Sequence, residues 1–480
     1  FSSLIGGSLT AGFGGSVGLE SPIISTGASI GSTIGQALRL GFKEKTLLIG
    51  CGAAGAMASI FTTPVAAVIF AFEVLLLDLS SASLIPILFA SVTGAVTTKL
   101  ITSEQYLVHF KVSEDFLLGD LPFFVILGVV AGFVSVYFHF MHFSIIRIFS
   151  KIQSIWVKWL VGGSLLGVLL FFFPPLFGEG YESIRHIISG NAETLLRFSL
   201  FAESQFIWTL IIFTILLVVF KVIATTLTTE AGGVGGIFAP AAVMGGFTGF
   251  VIARGLNMIN NSMGLHESNF TLVGMASVLG GVLLAPLTAI FLIAEMSNGY
   301  ELIVPLMLST SIAYLIARTF NKHSIFTQIL AERGEMFQFR DQAVIKQLKI
   351  KDLLEKDVIK VSVNSSLGDL TTVIKRSRRN MFAIVDDHNT FIGMVSLDDV
   401  REDMFDKEKW EEPISSYLYS LMDDDKVSVT NDVQEVINKF NKTGNYNMVV
   451  LDGNKYAGMI SRANLLKAYR ENMLADIGDF

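Results

Sequence analysis

Gly18-Leu-Glu-Ser-Pro22 is the stretch on which the reading of this chain turns. Between Phe1 and Leu38 the chain carries a single ionisable side chain, Glu20, set among small and apolar residues. A bare carboxylate at the centre of a bilayer costs about 2.5–3.5 kcal/mol on insertion scales. A membrane protein keeps one there for a use. Composition supports a membrane setting: the chain has 480 residues, of which only 16% are charged, and a mean hydropathy of +0.59. Soluble domains run nearer a quarter charged. The net charge of −7 gives no basic surface for nucleic acid. The one cysteine, Cys51, excludes a disulfide within the chain and reads as a small packed residue.

Composition shifts near residue 335, where long apolar runs give way to a sequence rich in Lys, Asp, Glu and Asn. The expected domains are a membrane domain over 1–334, a linker over 335–346, and two small soluble domains over 347–408 and 409–475. Apolar helices are expected over 22–38, 46–58, 61–78, 84–102, 121–149, 155–173, 205–229, 236–255, 269–283, 286–297 and 300–319. Several fall short of the ~20 residues of a simple span. Short segments broken by Gly or Pro indicate half-helices that end inside the membrane around a cavity or site.

An internal repeat orders these segments. Gly52 to Pro64 and on to Glu73 matches Gly274 to Pro286 and on to Glu295, with offsets of twelve and nine between landmarks in both copies. Upstream of each stands a Gly-x-x-x-Pro, Gly18–Pro22 and Gly236-Ile-Phe-Ala-Pro240. Proline suits a first helical turn, where its missing N–H has no partner to lose, and glycine allows close backbone approach. The free N–H groups of such a turn, with the positive end of the helix dipole, make an anion site. Two such starts converging on one anion is the functional reading; two ordinary proline-started helices packed through glycine is the plain one.

At these residues the sequence resembles the CLC family of chloride channels and proton-coupled chloride transporters. Gly18-Leu-Glu-Ser-Pro22 corresponds to the family's Gly-(Lys/Arg)-Glu-Gly-Pro, and Gly236–Pro240 to its Gly-x-Phe-x-Pro. The run from Ala285 to Tyr300 resembles the family's later pattern. The resemblance implies a multi-helix α membrane protein with inverted-topology repeats and broken half-helices. It makes Glu20 the gating carboxylate, which competes with the anion and carries the proton in a proton-coupled member. It places the central anion on the amides of Gly236, Ile237 and Phe238, and an outer anion around Leu19, Glu20 and Ser21. A low-dielectric site of this kind prefers one negative charge, side chain or chloride.

The departures matter. Leu19 replaces the family's cation and Ser21 its glycine. Phe326 stands where a family tyrosine donates to the central anion, and phenylalanine cannot donate. The family's Gly-Ser-Gly-Ile-Pro motif is expected upstream of Phe1, so an N-terminal part is expected to be missing. Proton coupling in many members uses the second of two adjacent glutamates after the first Ala-Pro helix. Glu73 matches the first and Val74 the second, so the inner acid is lost unless a slip gives Glu73 that role. Glu295 recurs at the matching place, which favours a shared structural role for both. Glu104 and His109 read as solvated loop residues.

A second repeat occupies the tail. Val361-Ser-Val with Gly393–Val400 matches Val427-Ser-Val with Gly458–Leu465, at offsets of 66 and 65. Each copy reads strand, helix, strand, strand, helix, which resembles a pair of α/β CBS domains. In such pairs a Ser/Thr-x-x-Asp can bind the ribose and phosphate of an adenine nucleotide, here Ser396 with Asp399 and Ser461 with Asn464. The alternative is a structural pair that mediates dimer contacts. The chain carries neither a Walker-type phosphate loop nor a Ser-His-Asp or metal-ligand pattern, so the reading is a transporter and no enzyme. No cofactor is required, and chloride is the substrate.

Chloride/proton exchange is the expected activity, with a passive chloride channel as the alternative and a CBS-regulated magnesium transporter as a remote one. The last would need clustered carboxylates. The resemblance further implies a homodimer in a plasma or inner membrane, with one pathway per subunit and the CBS pair in the cytoplasm.

Overall fold

The structure, a computed structural model, describes residues 2–75, 81–102, 110, 116–197, 199–202, 206, 208–260, 263–297, 299–332, 345, 348–355, 359–377, 379–419 and 421–478. Glu104, His109 and the linker residues other than Ile345 lie outside the described residues. Two compact units are present, Phe1–Glu332 and Arg333–Phe480.

The first unit is built from helices α1 (Ser2–Gly12), α2 (Glu20–Ala37), α3 (Phe42–Phe61), α4 (Pro64–Glu73), α5 (Ser81–Ile101), α6 (Leu121–Phe149), α7 (Ile155–Phe172), α8 (Tyr181–Ile188), α9 (Thr209–Glu230), α10 (Phe238–Ile259), α11 (Glu267–Leu283), α12 (Pro286–Met296), α13 (Ile303–Phe320) and α14 (Ile325–Glu332). Among the described residues, six helices are long and apolar enough to cross a membrane; α4 and α12 are apolar but too short. The outer surface is itself apolar. On α7, Trp156, Trp159, Leu160, Val168 and Phe171 are all exposed, as lipid-facing side chains are. The interior holds Phe61, Phe124, Phe138, Phe213, Phe238, Phe247, Phe250 and Phe270, essentially sealed from solvent.

The break expected between 58 and 61 falls a few residues later. α3 ends at Phe61, Thr62 turns left-handed at φ 54°, and Pro64 restarts the chain as α4. The second repeat does the same: α11 ends at Leu283, Leu284 lies at φ 53°, and Pro286 starts α12. A proline cannot continue the preceding helix but fits the first turn of the next. Three helices went unforeseen because none is a long apolar run. α1 is rich in Gly and Ser. α8 and α14 have eight residues each, and α8 buries Tyr181, Ile184, Ile187 and Ile188 on one face.

Helices α1–α5 correspond to the later part of α9 and to α10–α13. Residues 218 apart match early (Gly18 with Gly236) and residues 222 apart match later (Pro64 with Pro286). The helix pairs pack alike. A methyl on Gly27 would meet the Gly52 carbonyl oxygen at 2.2 Å, and one on Gly245 would meet that of Gly274 at 2.2 Å. The α2–α3 and α10–α11 crossings therefore bring backbone against backbone, which a side chain would prevent.

Among its described residues the second unit contains two three-stranded sheets, β1 (Lys360–Ser362), β2 (Met381–Val385) and β3 (Phe391–Ser396), then β4 (Lys426–Ser428), β5 (Asn447–Asp452) and β6 (Lys455–Ser461). In each, the first two strands pair parallel and the last two antiparallel. Helices Leu367–Arg376 and Val433–Thr443 make the parallel crossovers. The copies join through Phe391 N–H to the Asn454 carbonyl (2.9 Å) and Tyr456 N–H to the Asn389 carbonyl (3.1 Å).

Candidate anion site

The two Gly-x-x-x-Pro stretches meet. Gly18 N–H donates to the Gly236 carbonyl (2.9 Å) and Gly236 N–H to the Gly18 carbonyl (2.8 Å), an antiparallel bridge across the repeat. Threonines brace it symmetrically. Ser16 N–H donates to Thr228 Oγ1 (3.1 Å), and Val234 N–H to Thr10 Oγ1 (3.0 Å). The bridge sets the N-termini of α2 and α10 side by side, and a side chain on either glycine would have to displace a polar group of the first repeat. A Cβ on Gly18 would fall 2.0 Å from Glu20 Oε2, and one on Gly236 would fall 2.2 Å from Ser21 Oγ.

Glu20 is 1% exposed. Tyr181 Oη at the start of α8 donates to its Oε1 (2.9 Å). Its Oε2 lies over Gly18, beside the Ala239 amide in the first turn of α10, and makes no well-formed hydrogen bond. The first repeat's carboxylate thus sits against the second repeat's helix N-terminus, where partial positive charge favours an anion. Ile237 and Phe238 are buried beside it, and Phe61 links the Phe238 and Tyr181 rings at 5.8 and 6.4 Å between centroids. Leu19 and Ser21 are half-buried. Phe326 is 36% exposed, while its neighbour Ile325 packs into the core.

Three functional candidates were missed in the sequence. Glu179 Oε1 accepts from the Leu19 amide (3.1 Å). Lys221 in α9 is fully buried, and its Nζ donates to the carbonyls of Leu176 (3.3 Å) and Gly178 (3.0 Å). Tyr181 is the third. Lys221 carried a signal: it is the lone charge in the apolar run 205–229, the criterion that singled out Glu20. The bracing threonines also had one, the repeated Thr-x-x-x-Gly-Gly at Thr10 and Thr228.

Glu73 lies elsewhere. Its carboxylate accepts from Leu287 N–H (3.2 Å), Thr288 N–H (2.7 Å) and Thr288 Oγ1 (2.7 Å), at the start of α12. Glu295 reciprocates, accepting from Val65 N–H (3.1 Å) and Ala66 N–H (2.9 Å) at the start of α4. Each short helix caps the other repeat's short helix.

In the second unit Ser396 and Asp399 form a helix-capping pair. Ser396 Oγ accepts from Asp398 N–H (3.2 Å), and Asp399 Oδ2 from Ser396 N–H (3.3 Å). Ser461 Oγ donates to Glu355 Oε1, and Asn464 Nδ2 to the Leu353 carbonyl (2.9 Å). Glu355 also pairs with Arg379 at 2.6 Å. A cavity of about 200 Å³ lined by Glu355, Arg379, Asn380, Met381, Asn447 and Met459 opens beside them.

Residues 1–318 match the family described as Voltage gated chloride channel, and residues 350–406 and 418–471 match the CBS domain. The H(+)/Cl(-) exchange transporter ClcA of Vibrio campbellii is 26% identical over 352 residues, covering 70% of this chain and 70% of its own length. Chloride channel protein CLC-f of Arabidopsis thaliana is 24% identical over 445 residues, covering 82% of this chain and 55% of its own length. Among solved structures, a slow cyanobacterial Cl−/H+ antiporter superposes with a TM-score of 0.58 at 26% identity, covering 69% of this chain and 75% of its own. A CLC-type fluoride/proton antiporter gives 0.55 at 25% identity, covering 66% and 74%. The joined helix starts, the reciprocal caps and the match over residues 1–318 agree: this chain is an integral membrane protein of the voltage gated chloride channel (CLC) family with a CBS pair in its tail.

Proposed function

We propose that this chain exchanges chloride for protons across a membrane, with Glu20 as the gate. The observation that carries the reading is the buried Glu20 carboxylate lying where the N-termini of α2 and α10 meet. That place suits one negative charge, and chloride enters it only as the carboxylate swings out or takes a proton. The amides around Leu19, Glu20 and Ser21 form the outer part of the pathway and those of Ile237 and Phe238 the central part; the Gly236 amide, expected to share in it, is committed to the Gly18 carbonyl and is not available to the anion. Phe326 lines the inner approach without donating. Glu73 is assigned a structural role, since five hydrogen bonds engage it and Glu295 in one reciprocal pattern.

A passive chloride channel is the second reading, favoured by Val74 at the place of an inner acid. The functional unit is a homodimer with one pathway per protomer. It resides in a plasma or inner membrane, with domains over 1–334, 347–408 and 409–475, the last two in the cytoplasm. Adenine nucleotide at Ser396 with Asp399, or at Ser461 with Asn464, regulates transport. The deciding experiment reconstitutes the full chain in liposomes and follows chloride and proton movement under a chloride gradient. Exchange requires uphill proton movement, and chloride flux without it selects the channel. Glu20→Gln is expected to abolish proton movement while chloride still passes; a variant with wild-type coupling and gating would remove Glu20 from the gate.

A further inference from the structure

The Leu19 amide at the outer end of the gate is already engaged by a carboxylate, and not by that of Glu20. Glu179 Oε1 accepts from Leu19 N–H at 3.1 Å. Glu179 lies between Gly178 (φ 62°) and Gly180 (φ 97°), both left-handed, in the turn joining the 3₁₀ segment Pro174–Leu176 to α8. That turn is fastened from below. Lys221, fully buried in α9, donates to the carbonyls of Leu176 and Gly178 and acts electrostatically on both Glu179 and Glu20. Two residues beyond Glu179, Tyr181 holds Glu20 Oε1. One short turn therefore delivers a carboxylate to the Leu19 amide and a hydroxyl to the gating glutamate. Beside it Glu20 Oε2 is buried without a well-formed hydrogen bond, at the place read above as the anion's.

From this geometry we infer that Glu179 is a second carboxylate of the anion pathway, occupying the outer amide that chloride must take. The inference rests on the reading of Glu20 and the helix starts as an anion gate. Glu20 withholds the inner part of the path and Glu179 the outer part. Lys221 is the positioning residue: it holds the turn by two backbone carbonyls and offsets the charge of two neighbouring acids. Chloride arriving at the Leu19 amide displaces Glu179, and the strong local negative charge weakens chloride binding until it does.

Chloride binding to the solubilised full chain, measured by calorimetry with sodium chloride, tests this without regard to orientation. Glu179→Gln keeps an oxygen to accept from Leu19 N–H and removes the charge. The dissociation constant for chloride is expected to fall by roughly threefold or more, the scale of one like charge partly screened by protein and water. Glu179→Asp, one methylene shorter, pulls the charge back from the amide and is expected to move the constant the same way by less. It also decides the matter where Glu179→Gln does not elute as folded protein in gel filtration. A loss of packing alone would lower the amount of binding-competent protein without tightening the constant. Chloride binding by the wild type with both variants unmoved overturns the role of Glu179 and leaves the gate intact. A wild type that neither binds nor carries chloride overturns both.

Discussion

At the level of single residues, the site depends on two places where a hydrogen stands instead of a side chain. Gly18 and Gly236 carry the bridge that joins the repeats, and each faces a polar group of the first repeat, Glu20 Oε2 or Ser21 Oγ. Gly18→Ala puts a methyl where the Glu20 carboxylate now lies, while the Ala239 amide is 3.1 Å from the same point. The carboxylate end is flexible and yields before the backbone. The variant is therefore expected to fold, pass chloride faster than wild type and move fewer protons per chloride. Liposome flux measurements check this, and wild-type rate and coupling would show that the carboxylate's seat is not part of the gate.

Among the helices, α4 and α12 are the informative pair. Neither spans a membrane, and each begins at a proline with amides that nothing within its own helix can satisfy. Glu73 and Glu295 supply the missing acceptors across the repeat, with the added benefit of a negative charge at a helix N-terminus. Hydrogen bonds to charged groups contribute about 1.5–3 kcal/mol each where one partner's loss strands the other. Glu295→Ala is expected to lower the apparent unfolding midpoint of the purified protein in detergent, and Glu73→Ala, which loses three bonds, to lower it further. Glu73→Gln should leave the ratio of protons to chloride at the wild-type value. Lost proton movement with an unaltered midpoint would instead make Glu73 the inner proton residue.

Taken whole, the chain joins a CLC membrane domain to a CBS pair, and the Ser-x-x-Asn of the second CBS copy is already engaged. Ser461 bonds Glu355, which also pairs with Arg379 beside a cavity of about 200 Å³. A nucleotide using the Ser461 hydroxyl has to displace Glu355, and the phosphates of that nucleotide would be repelled by it. Glu355→Ala is accordingly expected to bind ATP, ADP or AMP more tightly than wild type in calorimetry on the full chain. Equal affinity in both proteins would mean that Glu355 does not guard the site.

The broad architecture was legible from residue order, because it is written in local pattern. Apolar runs with few charges dictate a membrane domain, and the landmarks Gly18–Pro22, Pro64, Gly236–Pro240 and Pro286 mark helix starts whatever surrounds them. The strand, helix, strand, strand, helix order of each tail copy was legible in the repeat in the same way. Glu20 stood out because a charge alone in an apolar stretch is costly. Tertiary structure decided what Glu20 touches. Tyr181 reaches it from 161 residues away, and Glu179 reaches the Leu19 amide from 160. Lys221 has the same isolation in sequence as Glu20, yet its partners are backbone carbonyls, which leave no mark on residue identity. Glu73 and Glu295 were recognisable as a pair but not as each other's mirror, since a cap across a pseudo-symmetric interface depends on how two distant helices pack. Burial and long-range hydrogen bonding are properties of that packing, so only the folded chain could assign them.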